Sequence, residues 1–155
     1  VLEEHPWRTL NGTEVEDIRD KIKEYCSKGK YTLHIGSDTK PHSDSTTLIT
    51  TICFREQSKG AVVFYQKQKI KFFTNVLERL LHEVAVSLQI AEEVREATGI
   101  SPTIHADVNP NEQNLSNRVA DAIMGMIKGM GYPVLIKPDA WAADIADMYT
   151  RWHWI

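Results

Sequence analysis

Hydrophobic and polar positions change their period along the chain, and that change predicts a mixed α/β fold. Three early runs alternate as half-buried strands do, at 31–38, 46–54 and 60–72. Short links join them, which favours an antiparallel meander. From Thr74 to about Thr98, apolar residues recur every three or four positions, as on an amphipathic helix that Gly99 ends.

The rest of the chain alternates between short apolar runs and helical stretches. Residues 101–108 and 132–137 are predicted to be buried strands, separated by a helix that ends at about Lys128. A last helix is predicted to open at Pro138. Strands joined by such crossover helices run parallel, so the later strands should be parallel.

One more helix is predicted before the meander, over about residues 13–28, where Thr13 and Glu16 form a capping box. The element order is then α, three strands, α, β, α, β, α. We therefore predict an α/β protein with a mixed five-stranded sheet, helices on both faces and an additional N-terminal helix.

The composition limits the size of the domain and the class of protein. The chain has 155 residues, of which 42% are hydrophobic and 25% charged, and this predicts a single globular domain over 1–155. No apolar run approaches the length of a membrane span, and the acidic start lacks the apolar segment of a signal peptide. Cys26 and Cys53 do not form a disulfide framework and favour a reducing compartment. We therefore expect a cytoplasmic protein that does not enter membranes.

Net charge limits how this protein could bind nucleic acid. The formal charge is −3, whereas proteins that bind nucleic acid through bulk charge are usually basic. Binding would therefore need a local basic patch or bound metal ions.

Two carboxylates lie where predicted strands end and loops begin. Asp38 ends the first strand of the meander, and Asp107 ends the strand at 101–108. Each residue alone could simply cap the following turn. If the two strands are neighbours, however, the two carboxylates repel each other and require a cation, and oxygen ligands suit Mg²⁺ or Mn²⁺.

Three further acids are candidates. Glu83 lies on the long helix among largely apolar neighbours, where a carboxylate is costly unless it is paired or bound to metal. Asp144 and Asp147 are three residues apart on the last helix and therefore share one face. A surface role remains open for this pair, with Arg151 as a partner of Asp147.

The chain resembles the ribonuclease H-like superfamily in its order of elements and in the placement of these acids, over about residues 30–151. Its segments IGSDTK, LLHEVAVSL, HADVNP, MGYPVLIKPDAWAA and ADMYTR are similar to those of the bacterial ribonuclease H-like YkuK family. Of these segments, KPDAWAA is the most specific.

The resemblance implies a carboxylate core that holds two divalent metals about 4 Å apart, one to activate water and one to stabilise the leaving oxygen. Carried over to this chain, Asp38 would bridge the metals, Glu83 and Asp107 would hold one, and Asp144 or Asp147 the other. The D-x-x-D spacing of the last two resembles the closing pair of RuvC-type resolvases more than the single Asp of ribonucleases H.

Two departures from the pattern of ribonucleases H are visible. Asp38 is followed by Thr39 and Lys40 instead of Gly-Ser, and no basic handle region stands out.

Several residues are candidates for contacts with substrate. Lys137, just after the last strand, is well placed to meet a phosphate near Asp107, and Asn109 and Lys40 join it as predicted substrate-binding residues. A stripe of alternating lysines on the third strand indicates either a solvated, aggregation-resistant edge or a line of phosphate contacts. The stripe consists of Lys67, Lys69 and Lys71.

Two histidines share a strand face with the leading aspartates. His34 precedes Asp38 by four residues and His105 precedes Asp107 by two, so each pair is on one face. A hydrogen-bonded interior role is favoured over that of a proton shuttle.

The leading hypothesis is a metal-dependent nuclease that hydrolyses phosphodiester bonds in RNA, DNA or a hybrid. A second hypothesis is a nucleic-acid-binding or assembly module that keeps the fold without catalysis, and it is motivated by the acidic net charge. A third is a phosphoesterase that acts on small molecules.

Overall fold

The computed structural model describes residues 1–109, 117–142 and 144–145. Within these ranges it contains a seven-stranded mixed sheet and three α-helices. The strands are β1 (Trp7–Thr9), β2 (Glu14–Val15), β3 (Thr32–Pro41), β4 (Thr46–Glu56), β5 (Gly60–Ile70), β6 (Thr103–His105) and β7 (Val134–Leu135). The helices are α1 (Ile18–Ser27), α2 (Val76–Thr98) and α3 (Asn117–Gly129).

The sheet order is β2-β1-β5-β4-β3-β6-β7. Strands β3, β4 and β5 pair antiparallel along their whole lengths, and β6 then pairs parallel to β3 and β7 parallel to β6. The prediction of five strands was too low, because β1 and β2 extend the sheet beyond β5. These strands have only three and two residues, too few to show an alternating pattern.

Helix α1 begins later than its sequence predicted. Glu14 and Val15 pair with β1, so their backbone belongs to the sheet. The N-cap is Asp17, whose carboxylate accepts a hydrogen bond from the backbone N–H of Asp20 at 3.0 Å. The predicted capping box at Thr13 is therefore wrong, since a later acid caps the helix once residues 14–15 are held in a strand.

Helix α2, which faces the centre of the sheet, is capped at both ends. Asn75 caps the N-terminus by accepting from the N–H of Glu78 at 3.1 Å. Gly99 ends the helix with a φ of 76°, a left-handed conformation that glycine adopts without steric cost. The helix therefore begins two residues later than predicted and ends at the predicted residue.

The two faces of the sheet carry different layers. On one face, Leu33 and Ile35 of β3 belong to the main hydrophobic core, which α1, α2 and α3 cover. The opposite face is called here the Asp38 face, because it carries His34, Gly36 and Asp38 of β3 together with the residues paired with them.

Residues that follow the turn at 137–139 also cover part of the Asp38 face. Trp141, Ala142 and Ile145 pack there in a cluster that includes Cys53 and Val63. Helical conformation begins at Ala142 and not at the predicted Pro138, because residues 137–139 form a turn. The N–H groups of Asp139 and Ala140 both donate to the carbonyl of Ile136 in that turn.

No helix within the described residues is long and apolar enough to cross a membrane.

Candidate metal centre

Asp38 and Asp107 occupy equivalent places on neighbouring parallel strands. Gly36 of β3 pairs with His105 of β6, and each aspartate follows two residues later. The condition on which their interaction depended, adjacency of the two strands, is thus met. Strand β3 continues to Pro41, so Asp38 lies within the strand and not at its end as the sequence suggested.

Glu83 joins these aspartates from α2. Its side chain is buried, with a relative exposure of 5%, and it lies among the residues that α2 turns toward the sheet. Thr39 donates a hydrogen bond of 2.5 Å from Oγ1 to Glu83 Oε2. Asp38, Glu83 and Asp107 each offer a carboxylate oxygen, and these three oxygens lie within 4.8 Å of one another.

The electrostatics of this cluster favour a cation. The pKa of Glu83 is raised to about 8, mainly by burial, and the charges of Asp38 and Asp107 contribute to this rise. The hydrogen bond from Thr39 and the charge of Arg79 oppose this rise in the pKa. Glu83 would therefore carry a proton at neutral pH unless a positive ion replaced it. Three carboxylates in such proximity form a donor set that fits hard divalent cations such as Mg²⁺ and Mn²⁺.

Lys137 links the carboxylate cluster to the last described helical residues. Its ammonium Nζ lies 3.6 Å from Asp107 Oδ1 and 2.7 Å from Asp144 Oδ2. Partial burial alone would lower the pKa of Lys137, but the hydrogen bond to Asp144 and the charge of Asp107 together raise it. Lys137 therefore stays charged and already offsets negative charge at this site.

Four other residues were predicted for this site: Asp144, Asp147, Lys40 and Asn109. Asp144 contacts Lys137 and is not among the three clustered carboxylates. Asp147 lies outside the described residues. Lys40 is exposed and lies two residues beyond Asp38 on the same face, and Asn109 is half-buried two residues beyond Asp107.

A chain of buried hydrogen bonds lies behind the aspartates on the Asp38 face. His105 Nδ1 accepts from the backbone N–H of Trp141 at 3.0 Å and of Ala142 at 3.3 Å. Its proton is therefore on Nε2, which donates to His34 Nδ1 at 2.9 Å. Because His34 Nδ1 accepts this bond, its own proton is on Nε2, which donates to Thr32 Oγ1 at 2.8 Å.

Both imidazoles are neutral, because burial disfavours their charged forms. Burial lowers the pKa of His34 to about 4 and that of His105 to about 3. The charge of Arg55 also lowers the pKa of His34, and His34 lowers that of His105. The favoured interpretation, two hydrogen-bonded interior histidines, is confirmed, and the contacts show that His105 anchors the segment that carries Asp144.

Sequence reasoning missed two parts of this arrangement. Thr39 was noted only as a departure from Gly-Ser, although period two places it on the α2 side of β3, where Glu83 is expected. His105 accepts hydrogen bonds from the backbone N–H groups of residues 141 and 142. The sequence gives no signal for these bonds, because their partners are 36 and 37 positions apart.

Fold and site together define a mixed α/β protein that gathers three carboxylates around neighbouring parallel strands. The ribonuclease H-like family model matches residues 14–151, and the chain belongs to this family. It is also similar to the uncharacterized protein YkuK of Bacillus subtilis (strain 168), with 22% identity over 157 residues, which cover 88% of this chain and 90% of that protein. No solved structure matches the chain.

These comparisons confirm the resemblance on which the sequence analysis relied. The family match begins at residue 14, ahead of α1, whereas the resemblance was placed at about residues 30–151. Helix α1 therefore lies within the matched range.

Proposed function

We propose that this protein is a divalent-metal-dependent nuclease that hydrolyses phosphodiester bonds. The observation that carries the proposal is the cluster of Asp38, Glu83 and Asp107, in which a buried glutamate is held beside two aspartates. A buried carboxylate with like charges around it is unfavourable by itself. Its presence at this position therefore favours a site that binds cations.

In this proposal, Asp38, Glu83 and Asp107 hold Mg²⁺ or Mn²⁺, and Asp144 or Asp147 completes a two-metal site. Divalent ions bound there would supply an activated water and compensate charge on the reacting phosphate. Lys137 lies beside Asp107 and would contact the substrate phosphate, together with Lys40 and Asn109.

The residues of the chain contribute positioning and proton control. Thr39 orients Glu83 by its hydrogen bond, so that one carboxylate oxygen has a fixed direction. Because Glu83 holds a proton at neutral pH in the absence of a cation, binding of a cation would release that proton. His105 fixes the backbone at Trp141 and Ala142, and thereby the start of the segment that carries Asp144.

The test combines calorimetric titration of Mg²⁺ and Mn²⁺ with cleavage of a panel of labelled RNA, DNA, hybrid and branched oligonucleotides. The variant is Asp107→Asn, and the control is Asp121→Asn, which removes an equally charged, exposed carboxylate on α3. We expect metal binding and cleavage to be lost in the first variant and kept in the second. Folded wild-type protein that binds neither ion would overturn the proposal.

The alternative is a nucleic-acid-binding or assembly module of the same fold without catalysis. One observation favours it: the ammonium of Lys137 forms ion pairs with both Asp107 and Asp144, and thereby offsets part of their negative charge. Such a module would bind oligonucleotides in a salt-sensitive way, would not need divalent ions, and would be indifferent to Asp107→Asn.

A further inference from the structure

Two rows of paired residues connect the carboxylate cluster to lysines of β5. Asp38 pairs with Ile49 of β4, and Ile49 pairs with Lys67 of β5. In the next row, Lys40 pairs with Thr47 and Thr47 with Lys69. Directly paired residues point to the same face of a sheet, so Lys40, Lys67 and Lys69 all lie on the Asp38 face.

The spacing of the rows suits a nucleic-acid strand. Neighbouring strands are about 4.8 Å apart, so β5 lies about 10 Å from β3 across the sheet. Phosphates along one strand of a duplex follow at about 3.4 Å of helix rise. For a duplex whose axis crosses the strands of the sheet, this separation of about 10 Å corresponds to about three nucleotides of helix rise, so the lysines of β5 and Asp38 fall within one short stretch of bound nucleic acid.

Charge alternates across this part of the sheet. Lysines stand on β5, the aspartates follow on β3 and directly after β6, and Lys137 follows β7 on the far side. Lys40 and Lys69 are exposed and Lys67 is half-buried, whereas Ile49, in the row between Asp38 and Lys67, is fully buried in a cluster with Tyr65 and Leu10. A negatively charged centre is thus flanked by cations on both sides.

Lys71 does not belong to this surface, although it continues the alternation in the sequence. Its Nζ lies 2.7 Å from Glu78 Oε1 on α2, and it stands over the ring of Phe73 at 5.1 Å. The stripe of three lysines seen in the sequence is therefore divided: two face the Asp38 side, and the third is paired with α2.

We propose that Lys40, Lys67 and Lys69 form a phosphate-binding ladder that holds one strand of nucleic acid on the Asp38 face and leads it to the carboxylate cluster. The ladder supplies the local basic patch that a chain of net charge −3 requires. It rests on the proposed function for its direction toward the cluster, but its binding is measurable without any cleavage.

The experiment measures binding of fluorescein-labelled 20-nucleotide RNA, DNA and hybrid probes by anisotropy, between 50 and 300 mM KCl, in EDTA and again with Ca²⁺. The variant is Lys67→Gln/Lys69→Gln. Its control is Lys30→Gln/Lys59→Gln, which removes the same charge at the other end of the sheet, where both lysines pair with Glu56. Polyglutamate of similar length serves as a competing polyanion.

We expect the ladder variant to bind about 30-fold more weakly at 0.1 M salt and to lower the salt slope by about 1.5, since each phosphate contact adds about 0.7 to 0.9 to that slope. The loss should be similar for all probe sequences, because lysine contacts to phosphate carry no sequence information. The control should bind as wild type does.

Three outcomes separate this inference from the proposed function. Lysine-dependent binding without cleavage would support the ladder and overturn the nuclease. Cleavage with unchanged affinity in the ladder variant would support the nuclease and overturn the ladder. Displacement of the probe by polyglutamate as readily as by unlabelled oligonucleotide would also overturn the ladder, because the surface would then bind any polyanion, including an acidic protein.

Discussion

Thr39 and Glu83 are joined across the gap between β3 and α2 by a hydrogen bond of 2.5 Å from the threonine hydroxyl to Oε2. Thr39 directly follows Asp38, and adjacent strand residues point to opposite faces. One short segment of β3 therefore provides a carboxylate on one face and the group that orients a second carboxylate from the other. This arrangement makes the position after Asp38 important for the site.

The first prediction concerns that hydroxyl. Thr39→Val removes the donor, which raises the pKa of Glu83 still further and frees its carboxylate to rotate. We expect Mn²⁺ and Mg²⁺ affinity at pH 7 to fall by about 10- to 100-fold, the usual effect of losing an outer hydrogen bond to a metal ligand. Thr39→Ser retains the hydroxyl and should bind metal nearly as wild type does. Equal losses in Val and Ser variants, measured by calorimetry, would contradict an orienting role.

The second prediction concerns stability and pH without divalent ions. The pKa of Glu83 is raised to about 8 in the folded protein, so the folded state keeps this proton up to pH 8, whereas the unfolded chain releases it near pH 4.5. The stabilisation is fully present below pH 4.5 and is lost as the pH rises through 8. Between pH 6.5 and 8 we expect the free energy of unfolding to fall by about 2 kcal/mol.

Below this pH range the two buried histidines change the stability in the opposite direction. The pKa values of His34 and His105 are lowered, so their contribution is lost as the pH falls below 6.5. Urea unfolding of Glu83→Gln should show no fall between pH 6.5 and 8, while Glu96→Gln, exposed on the same helix, should follow the wild type. Saturating Mg²⁺ should also remove the fall in wild-type protein.

The leading aspartates could be found from the sequence because each lies next to a local signal, the end of an apolar run. Their proximity depends on the parallel pairing of β3 with β6, which the sequence analysis stated only as a condition. Glu83 was detectable in a different way, as a carboxylate among apolar neighbours on a helix. Both signals are local, because each can be read from a few neighbouring residues.

Features that depend on distant partners could not be predicted in this way. Strand β1 exists because Arg8 and Thr9 pair with Tyr65 and Phe64, more than fifty residues later. The hydrogen bond between His34 and His105 joins residues 71 positions apart. The division of the lysine stripe depends on Glu78, whose ion pair with Lys71 only the fold brings about.

The third prediction separates two effects of Lys137. Lys137→Met leaves Asp107 and Asp144 without their positive neighbour, so the site should bind Mg²⁺ several-fold more tightly. Cleavage at saturating Mg²⁺ should fall, because the same ammonium is proposed to contact the substrate phosphate. Lys137→Arg keeps the charge and should keep both properties near those of wild type. Weaker metal binding in the methionine variant, measured by calorimetry, would show that Lys137 supports the cation site instead of competing with it.

The last prediction concerns how the segment that carries Asp144 is held. His105→Phe removes the acceptor for the N–H groups of Trp141 and Ala142, and an unpaired buried N–H costs about 1 to 3 kcal/mol. His105→Asn places an amide oxygen near the position of Nδ1 and should still accept from both groups, although it loses the contact with His34. Amide hydrogen exchange at Trp141 and Ala142 should therefore be fast in the Phe variant and protected in the Asn variant. If both variants exchanged equally fast while remaining folded, imidazole packing against the Trp141 ring, at 4.7 Å between centroids, would be what holds the segment, and not the hydrogen bonds.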